Sequence, residues 1–218
     1  MDDKIERPAE IAAQSFKVIR AEMHEMGYHF AAHQQAVIER VIHSTADFEF
    51  ADLIQFSPAA IPHGIAALQR SAPIVTDVNM VRIGINQRRA QGLGSTIHCY
   101  VGDVSAEDTA ANGLTRTAAG LHLAHEKGLL ANAIVVIGNA PTALFSVIDL
   151  IEQQGVRPAL VVGVPVGFVN TIESKDALSQ LDSVPWFITT GRKGGSSVAV
   201  AMVNTLLRLA HGEPSEAI

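Results

Sequence analysis

Apolar residues recur at helical spacing through the first part of the chain. In QQAVIERVIH, Val37, Ile38, Val41 and Ile42 form one stripe, while Glu39, Arg40 and His43 run along its flank. The same period predicts helices over residues 7–26 and 31–43. Beyond them the texture changes. APIVTDV, STIHCYV, NAIVVIGNA, PALVVGVPVG and VPWFITTG are short apolar runs, several of them β-branched, closed by Gly, Asp or Asn. Longer helical patterns lie between and around these runs: SPAAIPHGIAALQR, NGLTRTAAGLHLAHEKG, PTALFSVIDLIEQQG, ESKDALSQL and GGSSVAVAMVNTLLRLAHG. Strands that are apolar throughout are buried on both faces, and strands alternating with helices pair in parallel. The pattern therefore predicts one three-layer α/β domain over residues 1–218, with about five parallel strands and additional N-terminal helices. Ligands of such sheets bind beyond the carboxyl ends of the strands, so the strand exits are where chemistry is sought.

Composition narrows the function classes. With 218 residues, 48% of them hydrophobic and 17% charged, the chain can bury a sizeable core, which excludes disorder. A net charge of -6 argues against general affinity for nucleic acid or an anionic membrane, so any anion site must be focal. The one cysteine, Cys99, rules out an internal disulfide, and MDDKIERPAE lacks the pattern of a signal peptide; both point to the cytoplasm. The longest apolar stretch, ALVVGVPVGFV, is too short to span a bilayer and contains a proline and glycines. The polar tail HGEPSEAI is expected to fray.

Three strand exits carry candidate chemistry: GNAPTAL, GVPVGFVNTIESK and GRKGGSS. In the first, Asn139 can cap a helix, Pro141 suits its first turn, and the backbone N–H groups there can receive an anion. GRKGGSS sets Arg192, Lys193, two glycines and two hydroxyls before a long apolar helix, a cradle suited to carboxylate or phosphate. Neither it nor QGLGST has the spacing of a Walker loop or a dinucleotide fingerprint. His122 and His125 share a helix face, but no cysteine or carboxylate completes a metal set. His24, His29 and His33 read as surface residues. Ser44 and Thr45 stand beside His43, yet no Gly-x-Ser-x-Gly elbow exists to make a hydrolase. Arg116 opens a helix, where a cation opposes the dipole, which suits a residue serving a ligand.

Taken in order, QSFKVIRAE, RVIHSTADF, DVNMVRIGIN, GNAPTALF, GVPVGFVNTIESKDAL and GRKGGSSVAVAMVNTLL span nearly the whole chain and resemble the precorrin-8X methylmutase family. The resemblance implies a flavodoxin-like α/β fold and no cofactor, and the residues by themselves offer no metal site. It also implies a homodimer with active sites near the subunit interface. The activity it implies is migration of a methyl group between adjacent carbons of a corrin precursor in cobalamin biosynthesis, giving hydrogenobyrinate. His43 of VIH falls on the catalytic acid, and Ser15, Arg40 and Arg116 fall on positions around the substrate. Asn139, Thr142, Arg192 and Lys193, in the exit loops, complete the expected substrate contacts. The spellings HSTADF and GRKGGS look more like relatives that act on the cobalt-containing intermediate.

Residue chemistry agrees with that implication. A corrin precursor is an apolar macrocycle fringed with carboxylates, and its pocket calls for focal cations at the rim. His43 supplies a side chain that titrates near neutral pH, while Glu39 and Arg40 would push its pKa in opposite directions. Two rivals remain at this stage. One is a tetrapyrrole carrier with the pocket but no turnover, for which an acid at the ring has no use; the other is a flavodoxin-like nucleotide module, which lacks a phosphate fingerprint.

Overall fold

The computed structural model describes residues 8–213 apart from 106, 108 and 110–112. The predicted start of the first helix at Arg7, the start of NGLTRTAAG at Asn112 and the tail after Glu213 lie outside the described residues. The chain runs α1 (Pro8–Glu25), α2 (Ala32–Thr45), α3 (Phe50–Leu53), β1 (Ile54–Phe56), α4 (Ala60–Gln69), β2 (Ile74–Thr76), α5 (Asn79–Gly84), α6 (Gln87–Gly92) and β3 (Ile97–His98). It continues with α7 (Arg116–Glu126), β4 (Ile134–Ile137), α8 (Pro141–Gln154), β5 (Leu160–Gly163), α9 (Thr171–Ser179), β6 (Trp186–Thr189) and α10 (Ser196–Ala210).

The six strands form one sheet in the order β1-β6-β5-β4-β2-β3. Strands β2 to β6, the five predicted, pair in parallel and follow the flavodoxin-like winding, whose direction reverses between β2 and β4. The addition is β1, antiparallel to β6 with Ile54 opposite Thr189 and Phe56 opposite Phe187. Its three residues are too few to show a period, so only the pairing makes the segment a strand. The two other unpredicted helices near the site, α5 and α6, are six residues each and equally short of a pattern.

Alternation along the strands explains why they read apolar throughout. Ile134 and Val136 of β4 face the layer built by α1, α2, α4 and α10, while Val135 and Ile137 face α7, α8 and α9. All four are fully buried. Each such side chain contributes about 1.5–3 kcal/mol through burial, which fixes strand register because a slip by one residue would exchange the two faces. The longest apolar helix on the first layer, α10, packs on α2, α4 and α5. It carries a polar N-terminus to the carboxyl edge of the sheet. There Gly138 comes so close that an added Cβ would stand 2.7 Å from Val81 and 3.1 Å from the backbone of Ser196. The exit of β4 and the start of α10 are thus pressed together at the point where the winding reverses.

Candidate active site

His43 lies in the last turn of α2, which ends at Ala46 in the left-handed region (φ 53°). Its ring stacks on Phe16 of α1, centroids 4.6 Å apart and planes inclined by 16°. Arg40, one turn earlier, brings its guanidinium carbon to 4.6 Å from the same phenyl ring. Phe16 is itself buried, so it fixes both side chains from below. Burial first, and then the positive charge of Arg40, hold the His43 pKa below 6.5. These outweigh the favourable field at a helix C-terminus. Glu39 does not oppose them. Its buried carboxylate is taken up by other partners, accepting from Arg20 Nε at 2.9 and 3.0 Å and from Gln35 Nε2 at 2.7 Å.

His43 and Arg40 line a cavity of about 470 Å³ together with Arg89, Asn204 and Arg208. Asn204 is committed to the scaffold, accepting from Asn86 N at 2.8 Å and donating to Gly84 O at 3.1 Å, so it ties α5 and α6 to α10. Ser44 and Ser197 add hydroxyls to the lining. Ser44 bonds back to Val41 O at 2.9 Å and has no base aligned on it as a nucleophile would need.

The other expected substrate contacts form two groups along the carboxyl edge of the sheet. Arg116 opens α7 and donates to Val101 O at 3.0 Å, a partner that offsets its position against the helix dipole. Beside it, Thr115 caps the helix and its hydroxyl lies 2.7 Å from that of Thr142 at the start of α8. Asn139 is exposed in the same loop, its backbone N–H donating to Asp77. The second group is GRKGGSS. Arg192 is exposed and stands 5.4 Å from the ring of Phe168 in the β5 exit. Lys193 is not a free cation: its ammonium donates to Asp47 at 2.5 Å and Glu49 at 2.7 Å, and these carboxylates raise its pKa. The pair ties the loop to the segment that follows His43. Ser15 stands apart from the cavity wall, on α1 beside Phe16, with its hydroxyl donated to Ile11 O at 2.9 Å. His125, of the weak histidine pair, is 2.9 Å from Gln154 and serves the α7–α8 packing.

Two buried ionisable groups escaped the sequence reading. Asp77, at the end of β2, accepts from the backbone N–H groups of Gly138 (3.1 Å), Asn139 (2.8 Å) and Ala140 (3.0 Å). Burial raises its pKa although all three bonds pull it down. Lys175 of α9, fully buried, donates to Lys193 O at 2.9 Å and to Thr189 Oγ1 at 3.3 Å, and Thr189 donates to the same carbonyl at 2.8 Å. Burial lowers the Lys175 pKa to about 8. Both are positioning residues for the exit loops. The acidic residue closing the apolar run APIVT was the visible signal of Asp77, while Lys175 in ESKDAL had none; of the cavity arginines, Arg208 showed itself by interrupting the leucines of NTLLRLAHG. Arg89, in QRRAQG, had none.

A flavodoxin-like sheet whose flanking helices line a cavity with three arginines beside a stacked imidazole defines the class: an α/β protein with a cationic cavity next to a titratable side chain. The profile of the precorrin-8X methylmutase family matches residues 10–209. A cobalt-precorrin-8 methylmutase of Leptospira interrogans is 42% identical over 206 residues, covering 91% of this chain and 92% of that protein. A precorrin-8X methylmutase of Pseudomonas aeruginosa is 40% identical over 209 residues, with coverages of 94% and 98%. The crystal structure of a precorrin-8X methyl mutase from Thermus thermophilus superposes with a TM-score of 0.84 at 42% identity, covering 93% of this chain and 96% of that one. The chain belongs to the precorrin-8X methylmutase family, an isomerase family of cobalamin biosynthesis.

Proposed function

We propose that the protein moves a methyl group between adjacent ring carbons of precorrin-8X, with His43 as general acid and hydrogenobyrinate as product. The observation that carries this reading is the stack on Phe16 of His43, which lines a cavity together with three arginines. An isomerisation conserves composition. A proton delivered by the imidazolium to the conjugated ring draws electrons toward the protonated atom, the methyl group migrates with its bond, and the neutral imidazole left behind can take a proton back. In the free protein the lowered pKa leaves His43 mostly neutral near pH 7. A substrate bringing carboxylates close would raise it, so binding charges the acid where it is used.

Arg40, Arg116 and Arg192 serve as rim contacts for substrate carboxylates, with Ser15, Asn139 and Thr142 as hydroxyl and amide partners. Lys193 acts mainly by holding its loop. The protein works as a homodimer in the cytoplasm. In support of the dimer, Met80 and Ile83 on α5 and Phe168 and Val169 after β5 are 72%, 70%, 83% and 76% exposed, all on strand-exit segments. Such apolar side chains in one region mark a surface that is covered in use.

A second reading, the cobalt-containing substrate, is favoured by the name of the 42% identical Leptospira relative. Incubation with precorrin-8X and, separately, its cobalt complex, followed through the visible spectrum, decides between them. Rearranged chromophore from neither substrate would leave the carrier reading in place.

A further inference from the structure

The cavity beside His43 holds more positive charge than the protein itself neutralises. Arg40, Arg89 and Arg208 all face it, from three different elements. Arg208 rises from α10 among Leu206, Leu207 and Leu209, with its side chain 14% exposed. That is a poor place for a guanidinium unless an anion meets it. The one carboxylate that does so among the described residues is Glu213, which pairs with Arg89 through one oxygen and with Arg208 through the other at 3.1 Å. Arg40 has no ion-pair partner among the described residues. Two of the three cations therefore share one carboxylate, and the third has none among the described residues. Burial, and then repulsion from Arg40 and Arg89, bring the Arg208 pKa down to about 10.

Position matters as much as count. Glu213 lies past the end of α10, after Gly212 with its φ of 76°, so another carboxylate can replace it without unwinding a helix. The arginines, by contrast, are anchored on α2, α6 and α10, and Asn204 locks the wall between them. A fixed set of guanidiniums facing a replaceable carboxylate is the arrangement of an anion subsite held closed by an internal stand-in.

We infer that Arg89 and Arg208, together with Arg40, form a subsite for a carboxylate arm of the ligand, and that Glu213 occupies it until the ligand displaces it. The inference rests on the corrinoid reading above for the identity of the ligand. The subsite holds one edge of the macrocycle while His43 faces the ring, so it sets which carbon pair stands nearest the acid.

Titrating hydrogenobyrinate into wild type, Arg89→Gln, Arg208→Gln and Glu213→Gln tests it, with circular dichroism confirming that each variant is folded. Each arginine variant should bind about tenfold to a hundredfold more weakly, the range for a lost charged hydrogen bond. Glu213→Gln should bind more tightly than wild type, because the competing carboxylate is gone. If the arginine variants bind like wild type, or if Glu213→Gln is weakened as they are, the three residues are a structural cluster and the inference is overturned. Should wild type neither bind hydrogenobyrinate nor turn over precorrin-8X, the corrinoid reading fails by itself. The subsite then stands or falls on tricarballylate, a small tricarboxylate, which should raise the melting temperature of wild type and not of Arg208→Gln. Normal turnover by wild type with no loss of product affinity in either arginine variant would remove the subsite alone.

Discussion

The imidazole of His43 stacks on the phenyl ring of Phe16 at a centroid distance of 4.6 Å, although the two belong to different helices. The contact restricts the ring of a side chain that also lines the cavity. Replacing His43 with Ala should lower kcat by about 10²–10⁴-fold, the usual contribution of a general acid, while product affinity changes little. Phe16→Leu keeps an apolar floor but lets the imidazole tilt. Its kcat should fall about ten- to hundredfold, the order of loss for a misplaced catalytic group, with a smaller effect on KM. Turnover kinetics of the two variants check both expectations, and an undiminished kcat in His43→Ala would refute its role.

Burial, and then the charge on Arg40, are expected to hold the His43 pKa down in the free protein. That pKa should lie below 6.5 and move upward in Arg40→Met, where the cation is removed and the burial remains. Because the folded pKa is depressed, the folded state binds fewer protons than the unfolded one between that pKa and 6.5. The contribution of His43 to stability is therefore present above 6.5 and shrinks as pH falls through the window. Proton NMR titration of the imidazole reads the pKa directly, and an unchanged value in Arg40→Met would count against electrostatic control by this residue.

Asp77 joins β2 to the GNAPT loop through three backbone hydrogen bonds. Asp77→Asn preserves volume but turns an amide donor toward N–H groups, which should destabilise the fold by about 1–3 kcal/mol. Since the loop carries Asn139 and Thr142, KM should rise as well. Urea denaturation with steady-state kinetics checks the pair of effects. A variant with wild-type stability would show that the loop holds itself.

Lys175 should make stability depend on alkaline pH. Its folded pKa of about 8 lies below the ordinary 10.5, so below 8 both states are protonated and the fold bears the cost of a buried charge. Between 8 and 10.5 the folded state releases its proton first, and stability rises with pH, by about 3 kcal/mol at most. Comparing wild type with Lys175→Met across this range isolates the effect, which the variant should lack.

Arg116→Ala and Arg192→Ala should each weaken hydrogenobyrinate binding by about tenfold or more, as expected for a lost charged hydrogen bond. Binding should also weaken with added salt, since both residues are exposed. Uniform binding of this kind does not speed the chemical step, so kcat should fall less than affinity. Unchanged affinity in both variants at low ionic strength would show that packing around the macrocycle carries the binding.

Periodicity along the chain determined the α/β alternation, the five parallel strands and the placing of Arg40 and His43 on one helix flank, because each of these is a local property. Apolar runs such as IVVI and LVVG can be buried on both faces in few ways, and the parallel sheet follows from them. What faces His43 is another matter. Phe16 arrives from α1, Arg89 from α6 and Arg208 from α10, and no window of sequence contains the stack or the cavity. Only tertiary packing paired Glu39 with Arg20, leaving Arg40 to act on the imidazole, and gave Lys193 two carboxylate partners where GRKGGSS alone promised a free cation. Strand β1 exists for the same reason: three residues have no period of their own, and their backbone groups become a strand where the edge of β6 offers them partners.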